Sequence, residues 1–164
     1  MMIGIIFGSS MGNTEEAAKF LSENLGLENE LLNVSDCDAD KINSFDKLIL
    51  GTSTWGSGDL QDDWDAFDFD GLELNGKTVA VFGMGDSESY SDEFCNAMGK
   101  LYDHAIKHGA TVVGSVSTDG YNFESSESVR DGKFVGLALD ADNESDQTEP
   151  RILAWIEQIK PKFA

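Results

Sequence analysis

At 164 residues and 17.8 kDa, with 40% hydrophobic and 10% aromatic residues, the chain is long enough to bury one sizeable core and too short for two ordinary domains. Thirty-one Asp and Glu against 11 Lys and Arg leave a formal charge of −20, which repels phosphate backbones and anionic bilayers and excludes nucleic acid as a main partner. We expect residues 1–164 to form a single domain, with neither nucleic acid nor membrane as partner.

The opening run Met1–Gly8 lacks a basic n-region and falls far short of the roughly 20 residues of a membrane span, so it reads as a first strand, Ile3 to Phe7, in a cytoplasmic protein. From Thr14, apolar Ala17, Ala18, Leu21 and Leu25 recur at helical spacing, and Gly26 closes that helix. Strands then follow at Glu30 to Val34, Lys47 to Ser53, Thr78 to Gly83 and Thr111 to Ser117, separated by helices at Ala39 to Asn43, Gln61 to Phe67 and Asp92 to Lys107. A β-rich piece, Phe134 to Leu139, precedes a closing helix with apolar Ile152, Leu153, Ile156 and Ile159, for which Thr148 is the expected N-cap and Pro150 a first-turn residue. Strands alternating with helices predict an α/β fold with a parallel sheet covered on both faces. Cys37 and Cys95 lie far apart with no CxxC, and we expect two reduced thiols.

Ligands of such sheets bind outside the carboxyl ends of the strands, where strand order reverses. The loop after strand 1, Ser9-Ser10-Met11-Gly12-Asn13-Thr14, has hydroxyls, backbone N–H groups and a helix start but no charge, and it lacks the lysine of a nucleotide P-loop. It suits a phosphate monoester held by neutral donors, against the plainer reading of a Ser/Thr-rich turn that caps a helix. After strand 3, Thr54-Trp55-Gly56-Ser57-Gly58-Asp59-Leu60 sets a Trp between small residues, and after strand 4, Gly83-Met84-Gly85-Asp86-Ser87-Glu88-Ser89-Tyr90 carries a second ring. Two aromatics flanking one crevice suggest a sandwich for a planar ligand.

These loops, with Gln61 and Trp64 behind the second, resemble those of the flavodoxins, small FMN-binding electron carriers. The resemblance extends to Ser117-Thr118-Asp119-Gly120-Tyr121 and Gly132-Lys133-Phe134-Val135-Gly136-Leu137, similar to the insertion that splits the last strand in the long-chain subgroup. It implies a flavodoxin-like, doubly wound, five-stranded parallel sheet of order 2-1-3-4-5 with helices on both faces. Ser9, Ser10, Gly12, Asn13, Thr14 and Thr54 would surround the FMN phosphate, while Met11, where the family usually has Ser or Thr, would offer only its backbone N–H. Trp55 and Tyr90 would cover the two faces of the ring, with edge contacts from Gly56, Ser57, Gly58, Gly85 and Asp86, and Asp142 near the ribityl chain. Glu93 and Cys95 stand where relatives often carry polar amides on the outer rim. A backbone flip at the Gly56-Ser57 peptide would accompany one-electron reduction, and the carrier would shuttle between semiquinone and hydroquinone.

Charge supports a carrier independently. Asp59, Asp62, Asp63, Asp65, Asp68 and Asp70 have no Lys or Arg among them, nor do Asp86, Glu88, Asp92 and Glu93, whereas Asp140 to Glu149 reads as a solvated acidic surface. Acid beside a redox ring disfavours its anionic reduced form and steers the protein to transient, salt-sensitive encounters with basic docking patches on reductases and oxidoreductases. A monomer is expected. His104 and His108, four apart on one helix, read as a surface pair rather than metal ligands, and Trp64, Phe67, Phe69, Phe94 and Phe123 as packing residues. A phosphoacceptor receiver fails for want of carboxylates at the ends of strands 1 and 3. The alternative of an FMN-dependent NAD(P)H oxidoreductase needs a basic nucleotide pocket beside loops this acidic, and nothing positive suggests a non-redox FMN module.

Overall fold

The computed structural model describes residues 2–8, 12–55 and 59–164, with Trp55 described by its backbone. In chain order the elements are β1 (Ile3–Gly8), α1 (Asn13–Asn24), β2 (Asn29–Asn33), α2 (Ala39–Asn43), β3 (Lys47–Trp55), β4 (Asp59–Leu60), α3 (Asp62–Asp65), β5 (Thr78–Met84), α4 (Asn96–Lys107), β6 (Thr111–Val113), β7 (Val116–Ser117), β8 (Val129–Arg130), β9 (Lys133–Phe134), β10 (Leu137–Leu139) and α5 (Ser145–Phe163). The main sheet runs β10-β5-β3-β1-β2, with β6 also on β5 and the short β4 antiparallel to the end of β3. Ile3 lies beside both Asn29 and Lys47, and Lys47 beside Thr78, so the central strands share one parallel register and end on one edge.

Residues alternate between two apolar layers, as a sheet covered on both faces requires. Ile6, Leu48, Leu50, Val79 and Val81 pack toward Ile42, Trp64, Met98 and Leu101. On the opposite face Ile3, Ile5, Phe7, Ile49, Ala80 and Phe82 meet Ala18, Leu21, Trp155 and Ile159 of α1 and α5. Gly26, at φ +73° just past the end of α1, closes that helix as expected.

The last strand is split. β6 pairs with Thr78–Ala80 and β10 with Phe82–Met84, so the two pieces share the lane beside β5. The expected strand Thr111 to Ser117 breaks at Gly114, whose φ of +91° no β-branched neighbour could adopt. Between the two pieces, β7-β9-β8 form a small antiparallel sheet, so Phe134 to Leu139 divides into β9 and β10.

Three helix boundaries differ from expectation. The stretch Asp92 to Lys107 is a 3₁₀ turn at Ser91–Glu93 followed by α4 from Asn96, because Cys95 takes a left-handed conformation at φ 53°. Gln61 is the cap of α3 rather than its first residue, its Oε1 accepting Asp63 N–H at 3.0 Å. Thr148 does not cap α5: the cap lies four residues earlier at Glu144, whose N–H donates to Asp140 C=O at 2.9 Å, so Pro150 falls inside the helix and Thr148 Oγ1 is buried with no partner among the described residues.

The inserted segment is strapped to the chain just after the third loop. Glu124 and Ser125 donate their N–H groups to Ser91 C=O, Phe94 N–H donates to Ser125 C=O at 3.3 Å, Glu127 N–H to Asn96 Oδ1 at 2.7 Å, and Ser128 Oγ to Cys95 C=O. Phe94, Tyr121, Phe123 and Phe134 interlock beneath, with the Arg151 guanidinium 4.0 Å from the Tyr121 ring centroid.

Candidate functional site

The C-terminal edge of β1, β3 and β5 carries the loops expected to bind. Ser9, Ser10, Met11, Gly56, Ser57 and Gly58 lie outside the described residues, and the residues flanking them frame the site. Gly12 takes φ +90° at the start of α1 and makes no side-chain cap, which leaves the first-turn N–H groups of that helix to other acceptors. Thr14, in that turn, is buried at 1% exposure, and its Oγ1 has no hydrogen-bond partner among the described residues. A buried hydroxyl without a partner costs about 1–3 kcal/mol, so a group that accepts from it and from the helix start is favoured there. Asn13 lies half-buried beside it.

Thr54 sits in β3, where its Oγ1 accepts Ala97 N–H at the start of α4 at 3.2 Å and retains its own hydroxyl proton to donate. Trp55 ends β3, its backbone opposite Asp59 in β4. Below them Trp64 is fully buried, as expected of a packing residue, and its Nε1–H donates to Gly51 C=O at 2.8 Å.

The third loop folds on itself and on the turn before α5. Gly85 N–H donates to Leu139 C=O at 2.9 Å, and a Cβ on Gly85 would stand 2.8 Å from Cys95 N, so this close approach admits no side chain. Asp86 Oδ1 accepts Glu88 N–H at 3.1 Å, Ser89 N–H at 2.9 Å and the Asn143 amide at 2.7 Å. Desolvation raises the Asp86 carboxyl, but the bonds from Ser89, Asn143 and Glu88 outweigh it and hold the group below the ordinary range. Tyr90 leaves 50% of its surface exposed, the largest exposure of any bulky apolar side chain among the described residues.

Asp142 is exposed across from Asp86, and its carboxyl is raised first by desolvation and then by the charges of Asp86 and Asp140. In sequence Asp140 reads as solvated surface. It is fully buried instead, accepting from both Ser87 and Asn143. Alternation along β10 was the available signal, since Asp140 follows Leu137 to Leu139 without a break.

The structure places Cys95 away from the rim and corrects the expectation for His104. Cys95 is no rim residue: it is wholly buried, its Sγ facing Gly83 and Leu139 carbonyls at 3.7 and 3.8 Å, and burial pushes the thiol far above its usual range. His104 is half-buried rather than a surface residue, stacked on Phe69 with ring centroids 3.7 Å apart. Cys37 and Cys95 are both free thiols, and no set of three metal-ligating side chains converges among the described residues.

Acid surrounds this edge. Asp62, Asp65, Asp68 and Asp70 are exposed and Asp63 is half-buried; of the first acidic run, only Asp59 has an ion pair among the described residues, at 3.6 Å to Lys100. No helix is long and apolar enough to cross a membrane among the described residues.

Comparison with known proteins agrees with this geometry. The family profile described as flavodoxin matches residues 5–155. A flavodoxin of a Picosynechococcus species is 44% identical over 165 residues, covering 98% of this chain and 97% of that one. Flavodoxin 1 of Azotobacter vinelandii is 45% identical over 168 residues, with 98% and 97% covered. Among solved structures, that of Fusobacterium nucleatum flavodoxin bound to flavin mononucleotide superposes with a TM-score of 0.92 at 32% identity, covering 99% of both chains.

Proposed function

The chain belongs to the flavodoxin family, and from that premise we propose that it carries electrons one at a time between redox enzymes on a bound FMN, in the cytoplasm and as a monomer. Such a protein transfers electrons and is not an enzyme. FMN supplies a flavin that accepts and releases single electrons. The protein's residues do everything else.

The single observation that carries the reading is the buried hydroxyl of Thr14, without a partner among the described residues, at a helix start whose N-cap, Gly12, makes no side-chain cap. It fits a phosphate held without any cation, and we assign that phosphate to Ser9, Ser10, Gly12, Asn13, Thr14 and Thr54, with Met11 contributing its N–H. The exposed ring of Tyr90 is suited to cover one face of the flavin, with Trp55 on the other. Gly56, Ser57, Gly58, Gly85 and Asp86 would meet the ring edge and Asp142 the ribityl chain. The unpaired carboxylates at this edge oppose added negative charge on the ring and attract basic patches of partner enzymes.

The test is the affinity of the apoprotein for FMN and for riboflavin, measured by quenching of flavin fluorescence. FMN binds at least about tenfold more tightly if ionised acceptors meet these donors. Equal affinities would contradict the phosphate assignment.

A further inference from the structure

The carboxylate of Asp140 is the most buried charged group among the described residues, at 0% exposure, and no cation pairs with it there. Four donors converge on it instead. Ser87 donates its N–H at 3.0 Å and its Oγ–H at 2.5 Å to Oδ2. Asn143 donates its N–H to Oδ1 at 3.0 Å, and its amide reaches both oxygens at 3.0 and 3.2 Å. That same amide bonds Asp86 Oδ1 at 2.7 Å, so one bridge joins the two loops. Every partner is a donor, which suits an acceptor-only carboxylate and no other side chain of this size.

Isolated charge is expensive to bury, so its retention calls for a task. Asp140 follows β10, whose Leu139 lies beside Met84, and so it stands where the third loop leaves the sheet. Along that loop, described residues bond chiefly to one another or to this carboxylate. Resting on the proposed FMN site, we propose that Asp140 is a positioning residue that holds Gly85 to Tyr90 at the flavin edge. It touches no part of the flavin in this role. It fixes Ser87, which sits between Asp86 and the aromatic Tyr90.

An apolar residue at 140 would strand the N–H groups of Ser87 and Asn143, and an amide would turn a donor toward one of them. Asp140→Asn therefore frees the loop without emptying the core. Amide hydrogen exchange on the full-length apoprotein, with FMN and riboflavin affinities measured well below the melting temperature, tests this. In Asp140→Asn the amides of Ser87 to Ser89 exchange at least about tenfold faster while those of Thr78 to Met84 keep their protection. FMN and riboflavin weaken by one common factor, about tenfold, because the phosphate loop is untouched. Unchanged loop exchange and affinity would overturn the proposal, as would an equal loss of protection in β5, which marks a purely structural role. Should Asp140→Asn fail to fold, Ser87→Ala removes a single bond and gives the same pattern at smaller size, or overturns the proposal by leaving loop exchange unchanged. If the parent protein binds neither flavin, the functional reading fails, and the exchange contrast still decides whether Asp140 holds the loop.

Discussion

Thr14 is placed by two facts that act together: helical spacing turns it into the core, and the helix start above it has no side-chain cap. Its hydroxyl then points to bonding that the described residues do not supply. Thr14→Ala removes that donor, so FMN affinity falls about tenfold while riboflavin affinity stays unchanged, as flavin fluorescence titration reads directly. Equal losses for both flavins would locate Thr14 away from the phosphate. The place of Thr14 at a helix start was legible in sequence because hydroxyls, a glycine and a helical apolar spacing stand together there without charge. That of Asp140 was not, since an aspartate among aspartates reads as surface until the turn that buries it is known. The burial of Cys95 was not legible for a related reason: its left-handed backbone is set by the strap from residues 124–128, a contact with no local trace in sequence.

At the scale of elements, strands were read well because their apolar runs are compact and nearly unbroken, whereas helix starts were displaced wherever a tertiary contact replaced the local cap. Thr148 has the chemistry of an N-cap, yet the turn around Asp140 starts α5 earlier and leaves Thr148 inside the helix. The packing of α4 on the turn at Phe69–Gly71 makes a separate prediction through His104, stacked on Phe69. Desolvation, then the neighbouring His108 and Lys107, lowers its titration below the ordinary 6.5, with Asp103 opposing weakly. The unfolded chain thus takes up this proton more readily than the folded one, and the contribution of His104 to stability is lost as pH falls below about 6.5. His104→Phe keeps a ring against Phe69 but cannot titrate. The drop in melting temperature between pH 7.5 and pH 5 should be smaller in that variant than in the parent. An identical drop would show that His104 charges as freely in the fold as outside it.

Across the whole molecule, charge is distributed unevenly with respect to the sheet. The −20 total was plain from composition, and the crowding of acid at the carboxyl edge followed from placing Asp59 to Asp70 and Asp86 to Glu93 in loops after strands. The split last strand was legible only through resemblance, because β6 and β10 are each too short to announce that they share one lane beside β5. Steering by the acidic edge should make electron transfer to a basic reductase slow steeply as salt rises from about 0.01 to 0.5 M, since screening acts over roughly 8 Å at physiological ionic strength. Replacing Asp62, Asp63 and Asp65 with Asn should lower the association rate in stopped-flow mixing and flatten its salt dependence, with FMN affinity unchanged. A rate indifferent to both changes would show that the acidic edge does not steer association.

On the proposed function, this edge holds FMN and separates its electrons into single steps. Potentiometric titration of the FMN-loaded protein tests it most directly. Two resolved one-electron steps are expected, the second at a potential well below that of free FMN, because Asp86, Asp140, Asp142 and the acidic run after β3 all oppose added negative charge. A single two-electron step at the potential of free FMN would contradict it.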